Sequence, residues 1–186
     1  AFADLRKYDK RAKENGQPAV VFVGSMMDIF EKDMPLVSWH GEPATDASDG
    51  SPIGTDALRQ RFFNEVVPAC GNLLFLLLTK RPQNITGMAP WASGWPRHVW
   101  VGATIASAGD EDAAGHLAVC KAKGAVTFAS VEPMLGDGPR PGAWLKSINI
   151  CIIGGESGGG ARPFNVDAAR RLVAACDDYG TKVWFK

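Results

Sequence analysis

Lys80, Glu132 and Glu156 are the residues whose types and positions invite a catalytic reading. Each follows a strand-length apolar run. Lys80 comes after residues 73–78 and Thr79. An amine there is a Schiff-base nucleophile, a cation for an anionic ligand, or a solvated lysine where a strand exits to water. Glu132 follows the run 125–131 and precedes Pro133, whose ring restricts the residue before it to extended backbone. Its carboxylate can serve as a general base, bind an amine or hydroxyl, or pair with Lys80 or Arg162. Glu156 lies in Gly154-Gly155-Glu156-Ser157-Gly158, between the run 148–153 and a helical segment. Glycines around a lone carboxylate suit close backbone approach to a ligand, and N–H groups ahead of a helix can cradle an anion. The loop is neither G-x-G-x-x-G nor a P-loop, since no Lys-Ser/Thr follows the glycines.

Other polar residues fall at the same kind of position. Ser25 and Asp28 follow the first apolar run, Thr79 and Arg81 the second, Thr104 and Ser107 the third, Ser130 the fourth. Ser157 and Arg162 follow the fifth, and Lys186 ends the sixth. One charge after a buried strand only marks its exit to water. A charge at five of six such ends predicts a shared pocket. Its expected ligand-binding set is Ser25, Asp28, Thr79, Arg81, Thr104, Gly154, Gly155, Ser157, Arg162 and Lys186, with no metal ligand among them. Arg81-Pro82 also fits a rigid turn. Met26 and Met27 fit a core or a pocket wall. Trp91 and Trp95 fit either stacking on a base or packing of their own loop.

These positions require strands to hold them. Ala19-Val20-Val21-Phe22-Val23 is continuous, apolar and β-branched, as in a strand buried on both faces. Strand-like runs recur at 73–78, 98–105, 125–131, 148–153 and 182–186. Amphipathic segments separate them. Residues 1–17 read as a helix stopped by Gly16 and Pro18. Residues 56–67 place Leu58, Phe62 and Val66 on one stripe. Asp110, Glu111 and Asp112 open a helix that Lys121, Lys123 and Gly124 close, which complements the helix dipole. Asn165 caps the segment 166–179. Residues 41–55 and 83–97 read as loops, the second with at most one helical turn. Strands alternating with helices predict an α/β fold with a parallel sheet. Two architectures fit: a parallel (β/α) barrel, partial with six strands visible, or a doubly wound open sheet. Both gather ligands at strand C-termini.

Composition narrows the function classes. The 186 residues suffice for one α/β domain. Lys+Arg and Asp+Glu are equal at 20 each, so no net charge draws the chain to nucleic acid or membrane. No apolar run approaches the ~20 residues that span a bilayer, and charges interrupt the first residues too soon for a signal peptide. The expected location is cytoplasmic. Cys70, Cys120, Cys151 and Cys176 form no C-x-x-C pair, and His40, His98 and His116 are scattered. The cysteines of apolar segments, Cys120, Cys151 and Cys176, are expected to be buried free thiols.

Six segments in order carry a family resemblance. Val21-Phe22-Val23-Gly24-Ser25-Met26-Met27-Asp28-Ile29-Phe30 resembles FVNSMSDLF. Leu77-Leu78-Thr79-Lys80-Arg81-Pro82 resembles LTKRP, and Trp100-Val101-Gly102-Ala103-Thr104-Ile105 resembles WLGVSVE. Ser130-Val131-Glu132-Pro133-Met134-Leu135-Gly136 resembles SAEPLLG, residues 152–163 resemble VGGESGPGARP, and Trp184-Phe185-Lys186 resembles the start of FFKQWG. The chain is thereby similar to the phage Gp37/Gp68-like family, of the DUF5131 type, which is regarded as radical-SAM-like with a barrel fold.

The resemblance implies S-adenosylmethionine and a [4Fe–4S] cluster in an intact member, the cluster held by three closely spaced cysteines ahead of the first matching strand. No such triplet occurs in these 186 residues, and Ala106 stands where the family usually has Glu. The chain is therefore expected to be the C-terminal portion of a longer protein, inactive alone. The strand-end groups would hold S-adenosylmethionine and an unidentified substrate. By chemistry, Glu156 or Glu132 would meet its amino group or ribose, and Lys80 or Arg162 its carboxylate. Two other readings remain: a cluster-free lyase using Lys80 as Schiff base, or a non-catalytic protein contacting nucleic acid through Lys80, Arg81 and the tryptophan loop. A partner protein encoded nearby is a further expectation.

Overall fold

The computed structural model describes residues 2–23, 27–38, 40–46 and 49–186. Six strands form one sheet: β1 (Ala19–Val23), β2 (Leu73–Thr79), β3 (Val99–Thr104), β4 (Val126–Val131), β5 (Ile150–Ile153) and β6 (Lys182–Phe185). Every neighbouring pair is parallel. Their spatial order is their chain order. A doubly wound sheet reverses its order at a switch point, and this one never does. The sheet instead curls as part of a barrel. Phe22 on β1 and Phe128 on β4 bring their ring centroids to 6.3 Å, although two strands lie between them. In a flat sheet, three strand spacings would separate those backbones by about 14 Å.

Alternate side chains divide between the two faces. Phe75, Leu77, Val101, Val131, Cys151 and Ile153 join the large core on the convex side. Leu76, Phe128 and Ile152 form a separate, smaller cluster on the concave side, flanked by Leu74, Leu78, Trp100 and Ile150. Gly102 is on the concave side too, where a Cβ would overlap the Phe128 ring and carbonyl.

Helices cover the convex side. α1 (Phe2–Asn15) turns back at Gly16, whose φ of +66° suits glycine. Asp9 anchors it by accepting from the Asn72 backbone N–H at 2.7 Å and from Asn72 Nδ2 at 3.1 Å. α2 (Thr55–Arg61), a π-helical stretch (Phe62–Val66) and α3 (Val67–Ala69) run on as one rod. Phe62 and Phe63 are both buried along the π turn, where Phe62 meets Phe75 of the sheet edge-on at 5.3 Å and Phe63 packs on Phe30 and Trp91. Arg59 is buried at the start of this rod, donates to the carbonyls of Ile29 and Glu31, and pairs with Asp56. α4 (Ile85–Met88) is the single turn expected in the second loop. α5 (Ala113–Ala122) is preceded by a 3-10 turn over Asp110–Asp112 and closed by Gly124 at φ +85°. α6 (Val166–Asp178) is capped by Asn165 Oδ1, which accepts from Ala168 N–H at 3.0 Å. Among the described residues no helix is long and apolar enough to cross a membrane.

One expectation changes. β1 is not buried on both faces: Val20 and Phe22 are 55% and 42% exposed, because β1 is an edge strand on the concave side. The tryptophan loop packs on itself, the second of its two readings, with Trp91 centred 4.8 Å from both Phe63 and Trp95.

Candidate functional site

All six parallel strands end on one rim, as ligand-binding α/β sheets require. Face parity sorts the predicted residues there into two groups. Thr104, Ser130, Glu132, Gly154 and Lys186 continue the concave-facing series of their strands, two residues beyond Gly102, Phe128, Ser130, Ile152 and Trp184 respectively. They form an inner tier. Lys186 Nζ reaches Glu132 Oε1 at 2.9 Å, over the top of β5. Gly154 makes that crossing possible. A Cβ on it would stand 3.1 Å from Glu132 Cγ and 3.2 Å from Cδ, tight enough to push the carboxylate aside. The backbone beneath is fixed, with Met134 N–H donating to the Gly154 carbonyl at 2.8 Å and Leu135 N–H to that of Ala106 at 2.9 Å. The Glu132–Pro133 peptide bond is cis. Glu132 therefore pairs with Lys186, and with neither of its expected partners, Lys80 and Arg162.

Several other candidates are engaged outside that tier. Asp28 Oδ2 accepts from the Lys80 backbone N–H at 2.9 Å and faces Arg81 Nη1 at 3.4 Å. Arg81 Nη2 meets Glu31 at 2.5 Å, so this arginine ties two carboxylates near the end of β1 to the end of β2. Thr79 Oγ1 accepts from Arg81 N–H at 2.8 Å and braces the same turn. Glu31 went unnoticed in the sequence, since nothing in the spacing of 28–31 relative to 81 signals the pairing. Lys80 itself is exposed. A Schiff-base lysine is activated by desolvation or a neighbouring cation, and the solvated position of Lys80 offers no desolvation. Ser25 lies outside the described residues, as do Gly24 and Met26. Met27 is 54% exposed, so it is no core residue.

Glu156 and Arg162 close the glycine-rich loop on itself. Arg162 Nε and Nη2 donate to the two carboxylate oxygens at 2.8 Å each, and its backbone N–H adds a third bond at 2.9 Å. Those side-chain and backbone bonds, with the guanidinium charge, hold the Glu156 carboxyl down at about 2. Gly158 and Gly160, at φ +98° and +85°, let the intervening chain turn tightly enough for the pair to meet. Ser157 is exposed, and Gly155 packs its backbone against Phe164. Each charge of the loop satisfies the other, leaving no uncompensated cation for an anion.

The four cysteines are all buried and free. Cys120 is pushed up to about 11 by burial. A hydrogen bond with Cys176, together with burial, raises the Cys151 thiol. Cys151 and Cys176 meet only each other, and no three potential ligands converge among the described residues. They do not fit an iron–sulfur cluster, which takes thiolates close together.

The family model for DUF5131, described as a protein of unknown function, matches residues 53–186. The chain belongs to the DUF5131 family. The match covers five of the six strands and every candidate residue from Thr79 to Lys186, while the segment around Asp28 lies before it. No curated protein and no solved structure matches this DUF5131 chain.

Proposed function

We propose that the inner tier is the ligand site of a barrel enzyme, radical-SAM-like as the motif resemblance implies, and that it receives the amino-acid end of S-adenosylmethionine. The observation that carries this reading is the Glu132–Lys186 pair on the concave side of the rim. It presents one anion and one cation within a few ångströms, matching the ammonium and carboxylate of an amino acid. Thr104 and Ser130 add hydroxyls on the same side. Breaking this pair releases two partners for the ligand, so the exchange of ion pairs is near balance. Substrate and reaction stay undefined in this reading.

Since the chain's own thiols do not fit a cluster, radical chemistry is assigned only to a polypeptide that supplies a further thiol set. This chain's share is to bind and orient the ligand. Calorimetric titration with S-adenosylmethionine tests it. Glu132→Gln and Lys186→Met should each weaken binding about tenfold or more, equivalent to about 1.4 kcal/mol, while Arg81→Gln leaves it within threefold. Equal affinity in all four proteins would remove the reading.

A further inference from the structure

Opposite the rim, where the strands begin, the charge of this chain is unevenly placed. Four loops lead into β3, β4, β5 and β6 there, over residues 95–98, 121–125, 143–149 and 179–182. They carry Arg97, Lys121, Lys123, Lys146 and Lys182 and no aspartate or glutamate, in a chain whose formal charges sum to zero. Hydrogen bonds join these loops into one surface. Trp95 N–H donates to the Lys123 carbonyl at 3.3 Å, Lys121 Nζ to the Lys146 carbonyl at 2.8 Å, and Thr181 Oγ1 to the Leu145 carbonyl at 3.1 Å. Arg97, Lys146 and Lys182 are exposed, while Lys121 and Lys123 are half-buried. Among the described residues none of the five cations forms an ion pair, although Asp177 and Asp178 close the neighbouring α6. The β1 side of the same end is mixed instead: Lys10 meets Glu14 at 3.9 Å, and Asp9 holds Asn72. Lys121 and Lys123 complement the dipole at the end of α5. Arg97 and Lys146 end no α-helix, so helix electrostatics explain only part of the row.

We propose that this row is a docking surface for the phosphate backbone of a nucleic acid. Three strand spacings separate β3 from β6, about 14 Å. A strand of duplex DNA carries one phosphate per about 3.4 Å of axis, so that width faces about four phosphates. Cations without counter-ions on the protein gain most from such a partner, because binding releases the ions condensed on it. The aromatic side chains nearby are already committed. Trp95 packs on Trp91, Trp144 Nε1 donates to the Arg140 carbonyl at 2.7 Å, and Lys146 Nζ lies 5.8 Å from the centre of the Tyr179 ring. They offer no platform for stacked bases, so the contact is to the backbone and carries no sequence preference. They offer no apolar anchor either, which an acidic membrane surface would use. The row faces away from the rim, so the inference does not depend on what the inner tier binds.

Fluorescence anisotropy with a short labelled DNA duplex tests it. Affinity should fall about a hundredfold between about 50 and 200 mM salt, as about four neutralised phosphates require. Arg97→Gln and Lys123→Gln should each weaken binding about threefold or more for any duplex sequence, and lower the salt slope by about one. Arg170→Gln, which removes an exposed cation paired with Asp167 on α6, should change neither. Lys123 sits at the end of α5, so if its variant does not fold, the exposed Arg97→Gln carries the comparison. Absence of binding at low salt, binding indifferent to salt, or undiminished affinity in Arg97→Gln would overturn the proposal. Tighter association with vesicles of anionic phospholipid than with the duplex would overturn it too, and would give the surface to a membrane. S-adenosylmethionine binding enters none of these readouts, so the two proposals fail separately.

Discussion

The two faces of the sheet are built from the same residue types and live in different surroundings. On the convex side Phe75, Leu77 and Val101 are fully buried under helices. On the concave side Leu76, Phe128 and Ile152 are buried only by one another and their neighbours, while Val20, Phe22 and Trp184 stay open to water. Apolar character is therefore no measure of burial in this molecule. What decides is whether a second layer is present. The same division organises the rim: residues on the concave series form the inner tier, while Asp28, Arg81, Glu156 and Arg162 outside it are committed to structural ion pairs.

Adjacent residues on β2 give the sharpest test of that contrast. Phe75→Ala removes a fully buried ring and should cost about 3–5 kcal/mol in urea unfolding. Leu74→Ala, one residue earlier and half-buried on the other face, should cost about 1 kcal/mol, half the burial value of a leucine. Equal costs would mean that the concave face is as well sealed as the convex one.

Gly102→Ala probes the concave cluster directly. Its methyl would displace the Phe128 ring, with an expected loss of about 1–3 kcal/mol. A neutral result would show that this face is loosely packed. Gly115→Ala, in α5 where a Cβ meets nothing within 4 Å, should instead stabilise by about 0.5–1 kcal/mol.

The smallest effect belongs to the rim. The folded Glu156 carboxyl titrates at about 2, below its ordinary 4.5, so its contribution is complete above pH 4.5 and fades as pH falls toward 2. The pair is exposed and screened, so the readout is the titration itself. Carboxyl chemical shifts should move Glu156 upward, part of the way toward 4.5, in Arg162→Gln, because the backbone N–H of residue 162 still donates to it. A titration that stays near 2 would assign the shift to the loop backbone.

The strands were legible in the sequence because buried parallel strands are written as uninterrupted apolar runs. Residues 19–23 match β1 outright, and the other five fall within two residues of their observed limits. The continuity that reveals such strands also hides their faces, since a run apolar on both sides has no visible alternation. Hence Val20 and Phe22 read as core, and the inner membership of Glu132 and Lys186 could not be foreseen. The ion pairs were unreadable for another reason. Arg81 lies far in sequence from Asp28 and Glu31, and Glu132 far from Lys186, so each pairing depends on the curl and register of the sheet. The Glu156–Arg162 clasp is local, yet its glycines suggested an anion cradle, because the same backbone freedom serves both.

The strictly sequential strand order bears on how the chain is made. Each βα unit pairs only with the one before it, so every new strand finds its docking edge already present as synthesis proceeds from the N-terminus. Loop closure then spans one unit at a time, and no strand must wait for a distant partner. A sheet assembled this way always carries one free edge at its growing end, and it ceases to be a template only when the last strand has a neighbour on both sides.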